Sequence, residues 1–144
     1  VDFRTGENPR LCHDEQMTTV VIVDDHKAFR SSAHRLLEAE GFLVVGEAAT
    51  GRAAIEMVEK LSPELVLLDV QLPDIDGFAV TEELRRHGEK TKIVLTSSRG
   101  ADDYGARIAE SGAEGFVPKE GLSGAAIKAV IAPDDRPSYR RLTG

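Results

Sequence analysis

Short apolar runs alternate along the chain with longer stretches in which apolar residues recur at helical spacing. Val20-Val-Ile-Val23, Phe42–Val45, Leu65-Val-Leu-Leu68, Ile93–Leu95 and Gly115–Val117 are too short for helices and show little polar alternation. That is the mark of strands buried on both faces. After the first run, Phe29, Ala33, Leu36 and Leu37 share one face of a helix over Lys27–Glu40, and Gly41 is its natural stop. Thr50 or Gly51 opens a second helix whose Ala54, Ile55 and Val58 face inward, and Ser62-Pro63 breaks it. A third, Phe78–His87, carries Val80 and Leu84 and closes at Gly88. The spacing predicts a fourth helix over Asp102–Ser111, with Gly105, Ile108, Ala109 and Gly112 inward. A last one runs from a Ser123 cap to Ile131.

Strands alternating with helices in this way predict an α/β, flavodoxin-like fold. Five parallel strands form a doubly wound sheet in the order 2-1-3-4-5, with helices on both faces. Ligands of such sheets bind beyond the carboxyl ends of the strands, where the strand order reverses, here between strands one and three. Asp24 and Asp25 follow the first strand, Asp69 the third and Lys119 the fifth. A helix cap accounts for one member of the Asp24-Asp25 pair but not for Asp69 on the adjacent strand.

Adjacent strands lie about 4.8 Å apart, so these carboxylates converge. Two like charges ~4 Å apart cost about 4 kcal/mol near a protein surface. Mg²⁺ relieves that repulsion with hard oxygen ligands, and the backbone carbonyl of Gln71 stands ready to complete its shell. A carboxylate can also act as a nucleophile and hold a phosphoryl group. Lys119 offers that group an ammonium, and a hydroxyl near Ser97 offers a hydrogen bond. The reading is therefore a phosphoryl-accepting switch.

Composition narrows the field. The chain has 144 residues, 41% of them hydrophobic, with net charge −7 and a pI near 5.1. That is enough for one buried core, and too acidic for direct nucleic-acid binding. No apolar run nears the ~18 residues of a membrane span, and no signal-peptide pattern opens the chain. The single Cys12 excludes an intrachain disulfide. A cytoplasmic location and no membrane partner are expected. Residues 1–17 read as a flexible leader, 18–132 as the folded domain, and 133–144 as a flexible tail. His13, His26, His34 and His87 are scattered without metal-site spacing, and no P-loop, Gly-x-Gly-x-x-Gly or Gly-x-Ser-x-Gly occurs.

Four segments carry a resemblance: Val20-Val-Ile-Val-Asp-Asp-His26, Leu67-Leu-Asp-Val-Gln-Leu-Pro-Asp-Ile-Asp-Gly77, Ile93-Val-Leu-Thr-Ser97 and Gly112-Ala-Glu-Gly-Phe-Val-Pro-Lys119. Together they resemble the receiver domain of two-component response regulators, and are most similar to receivers of the class with a helix-turn-helix output. The resemblance implies that Asp69 is the phosphoacceptor. It implies that Asp24 and Asp25 bind Mg²⁺ with Asp69 and the Gln71 carbonyl, and that Lys119 contacts the phosphoryl group. Ser97 matches the switch hydroxyl, with Thr96 as the alternative, and Phe116 matches the aromatic position that follows it. Gln71 and Arg99 flank the reaction site and are candidates for tuning the phosphoryl lifetime.

The implied donor is a sensor histidine kinase or phosphotransfer protein. A downstream target of unknown identity is also implied, as is a homodimer through the helix 4, strand 5 and helix 5 surface. The chain then counts as a signalling receiver that promotes its own phosphorylation and dephosphorylation, not as an enzyme acting on other substrates. Two outcomes stay open: a stand-alone receiver, or the receiver of a DNA-binding regulator without its output domain. An aspartyl-phosphate phosphatase would want a second acid where Gln71 stands, and a flavin carrier would find its phosphate repelled by Asp24-Asp25. Glu120, where many receivers have Pro after the lysine, and Pro118 before it set this loop apart.

Overall fold

The computed structural model describes residues 17–132. The expected leader and tail, with Cys12 and His13, fall almost wholly outside the described residues. The elements in chain order are β1 (Thr18–Val23), α1 (Lys27–Ala39), β2 (Phe42–Ala48), α2 (Gly51–Leu61), β3 (Leu65–Asp69) and α3 (Gly77–Arg86). They continue with β4 (Lys92–Ser97), a 3₁₀ turn (Ala101–Asp103), α4 (Arg107–Glu110), β5 (Gly115–Pro118), a second 3₁₀ turn (Lys119–Gly121) and α5 (Gly124–Ile131). The sheet is parallel in the order β2-β1-β3-β4-β5, as the alternation predicts.

Two apolar layers hold the sheet. Val20, Ile22, Leu65, Leu67 and Val94 pack with Ala33 and Leu37 of α1 and Ile127 of α5. On the other face Val21, Val23, Val66, Leu68, Ile93 and Leu95 pack with Ala54, Ile55 and Val58 of α2 and Phe78, Val80 and Leu84 of α3. β1 and β3 from Val20 to Val23 and Leu65 to Leu68 are wholly buried. Each such side chain contributes about 1.5–3 kcal/mol over an exposed one. These two strands therefore fix the positions of the charged residues that follow them.

The helix ends obey local chemistry. The Thr50 hydroxyl accepts from Ala53 N at the start of α2, and the Asp76 carboxylate accepts from Ala79 N at the start of α3. Ser123 caps α5 through Ala126 N. Gly41 and Gly88 take positive φ (96° and 80°) and end α1 and α3.

The predicted fourth helix is not continuous. Gly105 has φ +57° and separates the 3₁₀ turn from α4, a single turn of four residues. The expected inner face is also displaced: Gly105, Ala109 and Gly112 are exposed, while Tyr104, Ile108 and Ser111 turn inward. Left-handed backbone is open to glycine and interrupts a right-handed helix, so the apolar spacing of 102–111 was realised only in part.

Candidate phosphoacceptor site

The strand ends bring the predicted acidic residues together. Donor atoms of Asp24, Asp25, His26 and Asp69 all lie within 4.8 Å of one another. Asp24 is fully buried and Asp69 nearly so, whereas Asp25 and His26 are exposed. Asp25, His26, Asp69, Gln71, Leu72, Pro73, Ser98 and Lys119 line a cavity of about 260 Å³ over them.

Asp24 does not cap α1. His26 occupies the N-cap position and makes no side-chain cap bond. Instead Asp24 Oδ1 accepts from His26 N at 2.7 Å, a tight turn that aims the carboxylate into the site. The Asp24 carbonyl accepts from Arg30 Nη1 at 2.6 Å, and Arg30 is itself held by Glu47. His34 lies on the same Glu47 carboxylate at 2.8 Å, and that bond raises the imidazole pKa and lowers the Glu47 pKa.

Lys119 enters from the 3₁₀ turn that follows β5. Its Nζ is 2.6 Å from Asp24 Oδ2 and 3.4 Å from Asp69 Oδ2, and sits 4.4 Å from the centre of the Phe29 ring. The contact with Asp24 is an ion pair made off the hydrogen-bonding direction, so buried Oδ2 has a charge partner but no hydrogen bond. Burial alone would lower the Lys119 pKa, but Asp24 and Asp69 outweigh it and hold the ammonium above the usual lysine value.

Burial, followed by the Asp24 carboxylate, pushes the Asp69 pKa up to about 6. Its Oδ1 accepts from Gln71 N at 3.2 Å, which with Lys119 opposes the rise. An acidic group so raised is held in an electrostatic deficit that a cation relieves. The clustered hard carboxylate donors of Asp24, Asp25 and Asp69 and the nearby Gln71 backbone fit a divalent metal ion.

The hydroxyls sort differently. Thr96 Oγ1 donates to Val117 O at 2.6 Å, deep between β4 and β5, so the alternative switch hydroxyl is spent on the sheet. Ser97 is also buried, but its hydroxyl is absent from the cavity lining and is shared with Tyr104 Oη at 2.7 Å. It also accepts from Arg99 N at 3.0 Å. Exposed Ser98 lines the cavity instead. Phe116 is half-buried and packs 5.9 Å from the Tyr104 ring, which meets Phe78 edge-on at 5.5 Å.

Four of these residues escape reading by spacing. His26 has no metal-site partner in sequence, yet its Nδ1 lies 3.2 Å from both Asp24 Oδ1 and Asp25 Oδ1, and its adjacency to them was the available signal. Phe29 was read as core and also covers Lys119. Ser98 lines the cavity beside Ser97, and nothing in the sequence pattern distinguishes it from its neighbours. Tyr104 stands seven positions after Ser97, and no local periodicity relates the two.

Residues 20–131 match the family described as the response regulator receiver domain. The chain is 35% identical over 112 residues to the DNA-binding transcriptional activator EvgA of Escherichia coli K12, covering 76% of this chain and 55% of EvgA. In structure it matches the signal receiver domain of the response regulator NarL from Mycobacterium tuberculosis, with TM-score 0.72 and 30% identity. That match covers 81% of this chain and 98% of the NarL domain. The fold also matches the CheX-CheY-BeF3-Mg²⁺ complex from Borrelia burgdorferi, with TM-score 0.72, 22% identity and coverage of 83% and 90%. The chain spans about half the length of the curated relatives it matches.

Proposed function

We propose, from the premise that this chain belongs to the response regulator receiver domain family, that Asp69 is the phosphoacceptor of a signalling switch. The observation that carries the assignment is Lys119 Nζ bridging Asp24 and Asp69 beside Asp25 at the mouth of one cavity. A pKa of about 6 leaves most Asp69 ionised at neutral pH, with an oxygen lone pair available for attack. That oxygen forms a bond to the phosphorus of a phosphohistidine as the P–N bond breaks, and the imidazole leaves with the donor protein. Lys119 holds the phosphoryl oxygens by charge.

The residues suited to hold Mg²⁺ are Asp25, Asp69 and the Gln71 carbonyl, with Asp24 behind them. When bound, the ion neutralises phosphoryl charge that this carboxylate cluster would otherwise repel. Ser97 would then donate to a phosphoryl oxygen, with Phe116 following its movement. Differential contact of this kind is what shifts a two-state equilibrium. The surface that changes comprises the 3₁₀ turn and α4, β5 and α5, and it is the face proposed for a downstream partner or a second copy. The donor is a sensor histidine kinase or phosphotransfer protein.

Incubation with acetyl phosphate and Mg²⁺, followed by intact-mass measurement, tests the assignment. Wild type should gain one base-labile phosphoryl group and Asp69→Asn none. An unchanged adduct in Asp69→Asn would move the acceptor elsewhere.

A further inference from the structure

The Ser97 hydroxyl lies outside the lining of the cavity that holds Asp69 and Lys119, on two partners of its own. A serine hydroxyl has one proton and two lone pairs. Arg99 N–H takes one lone pair, and the 2.7 Å contact with Tyr104 Oη takes either the proton or the second lone pair. In both cases two partners outside the cavity fix the oxygen.

Tyr104 is itself well placed to hold it. Its ring lies between Phe78 of α3 and Phe116 of β5, with centroids 5.5 and 5.9 Å away. The backbone that carries it is a 3₁₀ turn followed by Gly105 at φ +57°, not a continuous helix. Beyond it, Arg107 lies 4.3 Å over the Phe78 ring and 3.6 Å from Asp76 Oδ2. Tyr104 thus ties the hydroxyl at the end of β4 to the segment leading into α4.

We propose that Tyr104 is a positioning residue that holds the Ser97 hydroxyl out of the phosphoacceptor cavity, so that phosphorylation must break this bond and thereby releases the segment around α4. The proposal rests on Asp69 being the acceptor and Ser97 the hydroxyl that meets the phosphoryl group. Tyr104 then opposes the phosphorylated state and couples it to α4 in one step. Its hydroxyl acts only through Ser97.

The experiment is a titration of the full chain with beryllofluoride in excess Mg²⁺, comparing wild type, Tyr104→Phe, Ser97→Ala and the double variant. Phenylalanine keeps the ring between Phe78 and Phe116 and removes only the hydroxyl. Tyr104→Phe should bind beryllofluoride about three- to tenfold more tightly than wild type, the effect of one net hydrogen bond. In the Ser97→Ala background the same substitution should change affinity by less than about twofold, because its partner is gone. Unchanged or weakened binding by Tyr104→Phe overturns the proposal, as does equal tightening with and without Ser97. If wild type binds and Ser97→Ala binds equally well, the hydroxyl assignment fails and this inference fails with it. If wild type takes up no beryllofluoride, the Asp69 reading itself is overturned.

Discussion

The loop that follows Asp69 and the loop that follows Ser97 leave adjacent strands at the same edge of the sheet, yet they are held very differently. Val70 N donates to Thr96 O and Gly77 N donates to Val70 O, so the first loop is tied to β4 at its start and closed on itself at its end. Asp74 accepts from Gly51 N and Arg52 N at the start of α2, and Asp76 caps α3. The second loop contains exposed Ser98, Arg99 and Gly100, a 3₁₀ turn and a single-turn helix, with Tyr104 and Ile108 packed inward. The proposed acceptor Asp69 is therefore mounted on a closely bonded frame, while the hydroxyl proposed to meet the phosphoryl group is tied to a more exposed one. A switch needs both, since a nucleophile must be held in place and a reporter must be able to leave.

Two glycines test this contrast most severely. A Cβ on Gly77 would lie 2.6 Å from the Asp69 carbonyl oxygen and 3.0 Å from Val70 Cα, both backbone atoms that cannot swing away. Gly77→Ala should destabilise the fold by about 3 kcal/mol in chemical denaturation. Gly100 has nothing within 4 Å of a built Cβ, and its φ is −81°. Gly100→Ala should change stability by no more than about 0.5 kcal/mol. Equal costs at the two positions would erase the distinction between the loops.

Next in size is the proposed acceptor, Asp69. In metal-free protein Asp69 is raised from 3.8 to about 6. Between those values the folded chain keeps a proton that the unfolded chain has lost. Stability therefore falls as pH rises through that window and does not recover above it. Asp69→Asn should be the more stable protein at pH 7.5 by about 2 kcal/mol, with the gap closing near pH 4. Thermal melts in chelator at the two pH values give the answer. A gap that widens in acid would reverse the sign.

The smallest effect sharpens the fixed side. Asp74→Ala leaves two N–H groups at the start of α2 without their acceptor and should cost about 1 kcal/mol. The neighbouring backbone N–H bonds hold the Asp74 pKa below the usual carboxylate range despite some burial. Part of that loss should therefore appear in wild type on acidification, measurable as denaturation midpoints in the two proteins converging at low pH.

The same contrast separates what could be read along the chain from what could not. Buried strands announce themselves through unbroken runs such as Leu65–Leu68, and strand order then delivers Asp24, Asp25, Asp69 and Lys119 to one edge. Helix caps at Thr50 and Ser123 are local chemistry and are equally legible. The segment after β4 is not, because its apolar spacing competes with Gly105, and backbone handedness at one glycine decided the outcome. The partnership of Ser97 and Tyr104 also needed coordinates. Thr96 and Ser97 alternate across the strand, but what each hydroxyl touches depends on β5 in one case and on a non-helical turn in the other.

Lys119 has a consequence for the resting protein. With Asp24, Asp25 and Asp69 ionised, its single positive charge leaves the cluster at −2, the sum that one divalent ion cancels. Because this built-in counter-ion already spans the two buried carboxylates, part of their mutual repulsion is offset within the chain itself. A divalent ion of the kind proposed here would thus meet an ammonium already in place, unlike the structural zinc of a zinc finger, whose ligands have no such internal substitute.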